Sequence, residues 1–112
     1  MSESERKSTR AEFARVVNMS PAELKRWLAT EESRAVGSTQ QGDSESVGHQ
    51  SGGRILELKQ MKAAELGEED YAHMRKVIGY CHRHLAQRPY GDVTQTRWRY
   101  SLMNWGHDPL RD

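Results

Sequence analysis

Residues 67–89 read GEEDYAHMRKVIGYCHRHLAQRP, and their spacing decides the fold class. Tyr71, Met74, Ile78, Cys81 and Leu85 step by 3, 4, 3 and 4 residues, with Val77 widening the stripe. That period lays apolar side chains along one face of an α-helix for about four turns. Glu68, Glu69 and Asp70 occupy the first turn, where the positive end of the helix dipole favours carboxylates. Leu66 and Tyr71 flank Gly67 in the relation of a hydrophobic staple, and Pro89 stops the helix. The stretch predicts a central core helix that begins after Gly67.

Working back toward the N-terminus, Ser20-Pro21-Ala22-Glu23 is a second helix start, with Ser at the N-cap and Pro at the first helical position. Glu23 completes a capping box, and Met19 is placed to staple onto Leu24. Leu24, Trp27 and Leu28 then form a buried stripe from which Lys25 and Arg26 point away. Thr9-Arg-Ala-Glu12 is another capping box and predicts a short helix carrying Phe13, Val16 and Val17. The eight residues before it hold one hydrophobic side chain, Met1, and read as a flexible charged tail.

Between Trp27 and the core helix the composition changes. Only three of the 24 residues in 30–53 are hydrophobic, which predicts a long polar loop or linker inside one helical domain spanning 9–112. Gly48, Gly52 and Gly53 lie at its end, either as flexible loop glycines or as a close helix contact. A helix is expected over 54–64, carrying Ile55, Leu58 and Met61 on one side. The mean hydropathy of −0.94 reflects the tail and this insert, not the core.

Beyond Pro89, Tyr90-Gly91 forms a turn and Asp92 or Thr94 caps a last helix. Trp98, Leu102 and Trp105 share its face, Gly106 is a left-handed C-cap, and Pro109 prevents resumption. No period-2 strand pattern occurs. The expected fold is all-α, a compact bundle of about five short helices with a long polar insert.

The net charge of the 112 residues is only +1, but it is unevenly spread. Residues 75–99 carry Arg75, Lys76, Arg83, Arg88, Arg97 and Arg99 against Asp92 alone, a local +5. His73, Lys76, Tyr80, Arg83 and His84 fall in one arc of the core helix away from its apolar stripe. Basic residues in the last turn complement the helix dipole without any ligand, which accounts for Arg83, His84 and Arg88. Arg97 and Arg99 oppose the dipole of the last helix and so ask for an anionic partner or a solvated face. Phosphates are drawn to a surface of this kind whatever the base sequence.

Catalytic and metal signals are weak. Cys81 and His84 are three residues apart, but a structural zinc site needs four ligands and no second pair exists. His107-Asp108 after Gly106 reads as a structural C-terminal lock near Trp105. No nucleophile elbow or phosphate-binding glycine loop is present. No enzymatic activity, metal, cofactor or small-molecule substrate is expected. The single Cys81, the lack of any apolar run near ~18 residues and the lack of a signal peptide fit a cytoplasmic protein.

Four segments carry a resemblance to known proteins: VNMSPAELKRWL at 17–28, SVGHQSGG at 46–53, DYAHMRKV at 70–77 and WRYSLMNWGHDP at 98–109. Together they resemble a family of short bacterial proteins of unknown function whose members are often labelled DNA-binding protein. The order of 19–28, a glycine-containing loop and Arg54-Ile-Leu-Glu-Leu58 is also similar to SAP-type helix–extension–helix modules, which contact the DNA backbone, although the loop here is longer. The resemblance implies a DNA-binding protein, and the +5 stretch adds the expectation of a small nucleoid-associated or regulatory protein that binds duplex DNA mainly through its backbone, with low sequence specificity. Arg97, Arg99, Lys76 and Arg83 are the expected phosphate contacts, with Lys25 and Arg26 as a secondary patch. The alternative is a protein-interaction module that docks an acidic partner, or forms a homodimer through the Tyr71–Leu85 seam.

Overall fold

The core helix forms where its spacing places it. In a computed structural model that describes residues 1–37 and 45–111, six α-helices are seen among the described residues: α1 (Glu3–Val16), α2 (Pro21–Leu28), α3 (Glu31–Ala35), α4 (Val47–Gln60), α5 (Glu68–Leu85) and α6 (Arg97–Asn104). A single 3-10 turn, Ala63–Glu65, links α4 to α5. No strand occurs among the described residues, and the fold is all-α. Its radius of gyration, 14.0 Å, is close to the roughly 13 Å of a 100-residue globule, so the bundle is compact.

α5 begins after Gly67, its N-cap, whose N–H donates to Asp70 Oδ2 at 2.9 Å. Its buried stripe is Tyr71, Met74, Val77 and Cys81, while Ile78 and Leu85 pack half-buried beside it. The main cover for this face is α1, which starts at Glu3 and not at Thr9. Ser2 is the cap, accepting from the Glu5 N–H at 3.1 Å, and Glu3 and Glu5 fill the first turn. Residues 3–8 have little to bury, yet they gain tertiary support. Arg6 lies 5.0 Å over the Tyr71 ring and Arg10 donates to the Tyr71 hydroxyl at 2.7 Å. Phe13 and Val16 are buried further along α1.

α2 forms with the Ser20–Glu23 capping box and Pro at its start. The region read as a polar insert then differs from expectation on both sides of 38–44, residues that lie outside the described ones. Thr30 caps α3 by accepting from the Ser33 N–H at 3.1 Å. Ser46 caps α4 in the same way through the His49 N–H, at 3.0 Å, so α4 starts seven residues before Arg54. The early turns of α4 are held by smallness. Gly48, Ser51 and Gly52 are buried, and a Cβ on Gly52 would come within 2.7 Å of the Asn104 carbonyl and 2.6 Å of Leu28 Cδ2. Gly53 faces open space. The close-contact alternative therefore describes Gly48 and Gly52, and counting apolar residues could not see it.

α6 starts at Arg97 with Thr96 as its cap, two residues beyond Thr94, because Asp92 and Thr94 close a turn of their own. Gly106 adopts φ +81°, the left-handed conformation expected of it. The segment after it closes the molecule. His107 donates to the Val16 carbonyl at 2.7 Å, while Asn18 and Asp108 exchange two hydrogen bonds, at 3.0 and 2.8 Å. The C-terminal lock thus fastens the α1–α2 junction and does not close on Trp105.

Candidate functional site

α5 and α6 turn two stripes toward each other. Lys76, Tyr80 and Arg83 step by 4 and 3 along α5, and Arg97, Ser101, Asn104 and Trp105 by 4, 3 and 1 along α6. Aromatic rings fill the space between them in a nearly parallel column. Trp105 stacks on Tyr80 at 4.2 Å, Tyr80 on His84 at 5.2 Å and His84 on Trp98 at 5.9 Å. His73 extends the column beyond Trp105 at 6.4 Å, and Arg88 lies 5.5 Å over Trp98 at the other end. Two hydrogen bonds clasp it: Trp98 Nε1 donates to the His84 carbonyl at 2.7 Å, and His84 Nε2 to the Trp98 carbonyl at 3.0 Å. The arc read from sequence as one polar surface is thereby divided. Its rings pack on α6, and its two cations remain at the edge.

That edge is a cleft of about 450 Å³. Among the described residues, Lys76, Tyr80 and Arg83 line it from α5, Ser101, Asn104 and Trp105 from the α6 side, and Val47 and Gly48 from the start of α4. Gly79 lets the Arg83 guanidinium lie flat on α5, since a Cβ there would meet Arg83 Nη1 at 3.0 Å. Lys76 and Arg83 are exposed and have no carboxylate or hydrogen-bond partner among the described residues. Arg97 shares the α6 stripe and is also exposed, donating to the Ala35 carbonyl at 3.2 Å.

The other expected contacts lie elsewhere. Arg99 holds Asp108 with two donors, Nε at 3.2 Å and Nη2 at 3.1 Å, and reaches the Thr94 carbonyl at 2.9 Å. Burial alone would raise the Asp108 pKa, but Arg99, the Leu110 N–H and Arg111 together outweigh it and hold the carboxyl below its usual value. The anion that Arg99 seemed to ask for is internal. Lys25 and Arg26 are exposed on α2, which packs against α3, α4 and α6, and neither borders the cleft.

Three further polar groups are defined by what the fold brings, or fails to bring, beside them, which no short window of sequence shows. Asn104, 1% exposed, accepts from Trp27 Nε1 at 2.7 Å and Ser33 Oγ at 2.5 Å, and donates to the Ser33 carbonyl at 3.0 Å. It joins α2, α3 and α6 at one buried amide. Ser51 Oγ and His73 Nε2 are 3.0 Å apart. Burial, with Arg54 and Lys76 nearby, pushes the His73 pKa down and favours neutral imidazole. No carboxylate orients its Nδ1 among the described residues, so the pair lacks the third member of a nucleophilic triad. Trp105 is the third group: it is buried, yet its indole N–H has no acceptor among the described residues and borders the cleft.

Cys81 and His84 diverge. The Cys81 thiol faces the Trp105 carbonyl, and burial pushes its pKa up to about 12. No group of three His, Cys, Asp or Glu side chains suited to a metal is found among the described residues. No helix among them is long and apolar enough to cross a membrane.

These features define a small all-helical domain with an open, cation-edged cleft between α5 and α6. The family model described as Protein of unknown function (DUF3140) matches residues 12–103, and the chain belongs to that family. No curated protein and no solved structure matches it.

Proposed function

We propose that this protein binds duplex DNA through the phosphate backbone, with low sequence specificity, using the α5–α6 face. The observation that carries the proposal is the pairing of Lys76 and Arg83 at one cleft, with Arg97 one turn along α6 from the cleft residue Ser101, none of the three with a carboxylate partner among the described residues. Cations left unpaired in this way lose little on meeting phosphate and release counterions from the duplex. Arg99 is occupied by Asp108 and contributes to the shape of the face more than to its charge. Lys25 and Arg26 would add a secondary contact. A cytoplasmic, nucleoid-associated setting follows from such an activity.

The interaction-module alternative lost part of its motive, because the Tyr71–Leu85 seam that suggested a homodimer is covered by α1. Labelled duplex titrated by anisotropy between about 50 and 200 mM salt tests the proposal. Three phosphate contacts at ~0.9 each give a log–log slope of about −2.7. Lys76→Ala, Arg83→Ala and Arg97→Ala should each flatten it by about one. Absence of binding at the lowest salt, or a slope indifferent to all three substitutions, refutes it.

A further inference from the structure

The geometry points to a discrete site for a small phosphomonoester in the α4–α5–α6 cleft, one that does not depend on the DNA proposal. Trp105 is 4% exposed, so its indole N–H is removed from bulk water except where it borders the cleft, and it has no acceptor among the described residues. The other two tryptophans contrast with it: Trp27 Nε1 donates to Asn104 and Trp98 Nε1 to the His84 carbonyl. The N–H is not itself sealed from solvent, so water in the cleft can accept from it and an anion there can take that water's place.

The first turn of α4 lies beside that N–H, since a Cβ on Gly48 would stand 3.0 Å from Trp105 Nε1. Ser46 caps only the His49 amide, which leaves the Val47 and Gly48 N–H groups without an acceptor among the described residues. No acidic residue stands in that turn, and Glu45, just before it, is turned onto His49. The start of a 14-residue helix, an indole donor and two free cations, Lys76 and Arg83, therefore border one cavity.

Convergent donors from several directions suit a tetrahedral oxyanion, and two cations balance a dianion. The cleft, about 450 Å³, is larger than a bare phosphate needs and falls in the usual range for small-molecule sites, with Val47 as apolar lining for an organic tail. Tyr80 already has a ring on each face, Trp105 and His84. The tail is thus a compact group such as a sugar, not a base seeking a stacking platform.

The test is a two-dimensional ¹⁵N–¹H spectrum of the full chain titrated with ribose 5-phosphate, ribose and inorganic phosphate. Ribose 5-phosphate is expected to shift the Trp105 indole signal and the Val47 and Gly48 amides to saturation. The Trp27 and Trp98 indoles should stay in place, and ribose should shift none of them. Lys76→Ala or Arg83→Ala should weaken binding at least about tenfold with the spectrum otherwise native. Trp105→Phe, if it folds, should weaken it roughly three- to tenfold. An unmoved Trp105 indole, an equal response to ribose, or equal affinity for inorganic phosphate overturns the assignment. Duplex binding that persists with the Trp105 signal unmoved refutes this site and leaves the DNA proposal standing.

Discussion

Gly52 and Gly53 are neighbours on α4, yet alanine at the two positions should move stability in opposite directions. Each substitution removes the backbone entropy of a helical glycine, a gain of about 1 kcal/mol. At Gly53 nothing lies within 4 Å of the new Cβ, so that gain is kept. At Gly52 the methyl would stand 2.7 Å from the Asn104 carbonyl oxygen and 2.6 and 3.0 Å from the two Leu28 methyls. Leu28 can rotate, but the carbonyl belongs to the α6 backbone, and α4 must move off α6 by a few tenths of an ångström to relieve it. Overpacking of this kind costs about 1–3 kcal/mol. Because the propensity gain is common to both, the difference between the variants isolates the steric term. It corresponds to a Tm gap of roughly 4 °C or more per kcal/mol for a domain this size. Thermal unfolding followed by circular dichroism measures it. Equal Tm values for the two variants would refute the close α4–α6 approach.

Three other outcomes follow from the packing. Asn104→Ala strands the Trp27 indole N–H and Ser33 hydroxyl, and urea unfolding should show a loss of about 2–4 kcal/mol. Arg99→Ala leaves Asp108 unpaired at a half-buried site, so it should lower stability by about 1–3 kcal/mol while leaving the salt slope of duplex binding unchanged; a flattened slope would return Arg99 to the interface. His73 has its pKa lowered from 6.5 by burial and by Arg54 and Lys76, so the unfolded chain takes that proton first. Stability should fall as pH drops below 6.5, and His73→Gln should remove this part of the profile. Glu23 acts lower on the scale: Arg111 and the Ser20 cap hold it at about 2, against 4.5, so its contribution is present above 4.5 and is lost as pH falls toward 2.

Local signals were legible where they sit within a few residues of one another. The acidic first turn and 3–4 spacing of α5, the Ser20 capping box and the Gly106 terminus are each complete in a short window, and each is found as read. The start of α1 was misplaced because Thr9–Glu12 satisfies the same capping pattern as Ser2–Glu5. What supports the longer helix is tertiary: Arg6, in the added turns, lies over the ring of Tyr71, and Glu3 pairs with the Arg10 that donates to its hydroxyl. α4 was begun too late for a related reason. Its first turns pack through glycine and serine, residues that carry no hydrophobic signal but permit the closest approach of helices.

The candidate site divides along the same line. That residues 75–99 carry excess positive charge is a property of the sequence alone, as are the all-helical class and the core face of α5. Which cations remain free depends on tertiary structure, because ion pairing is decided by distance in space. Asp108 reaches Arg99 only after Gly106 reverses the chain, while Lys76 and Arg83 are left at the cleft because the rings beside them stack on α6. The free indole N–H of Trp105 has the same origin: three tryptophans alike in sequence differ only in what the fold brings to their nitrogens.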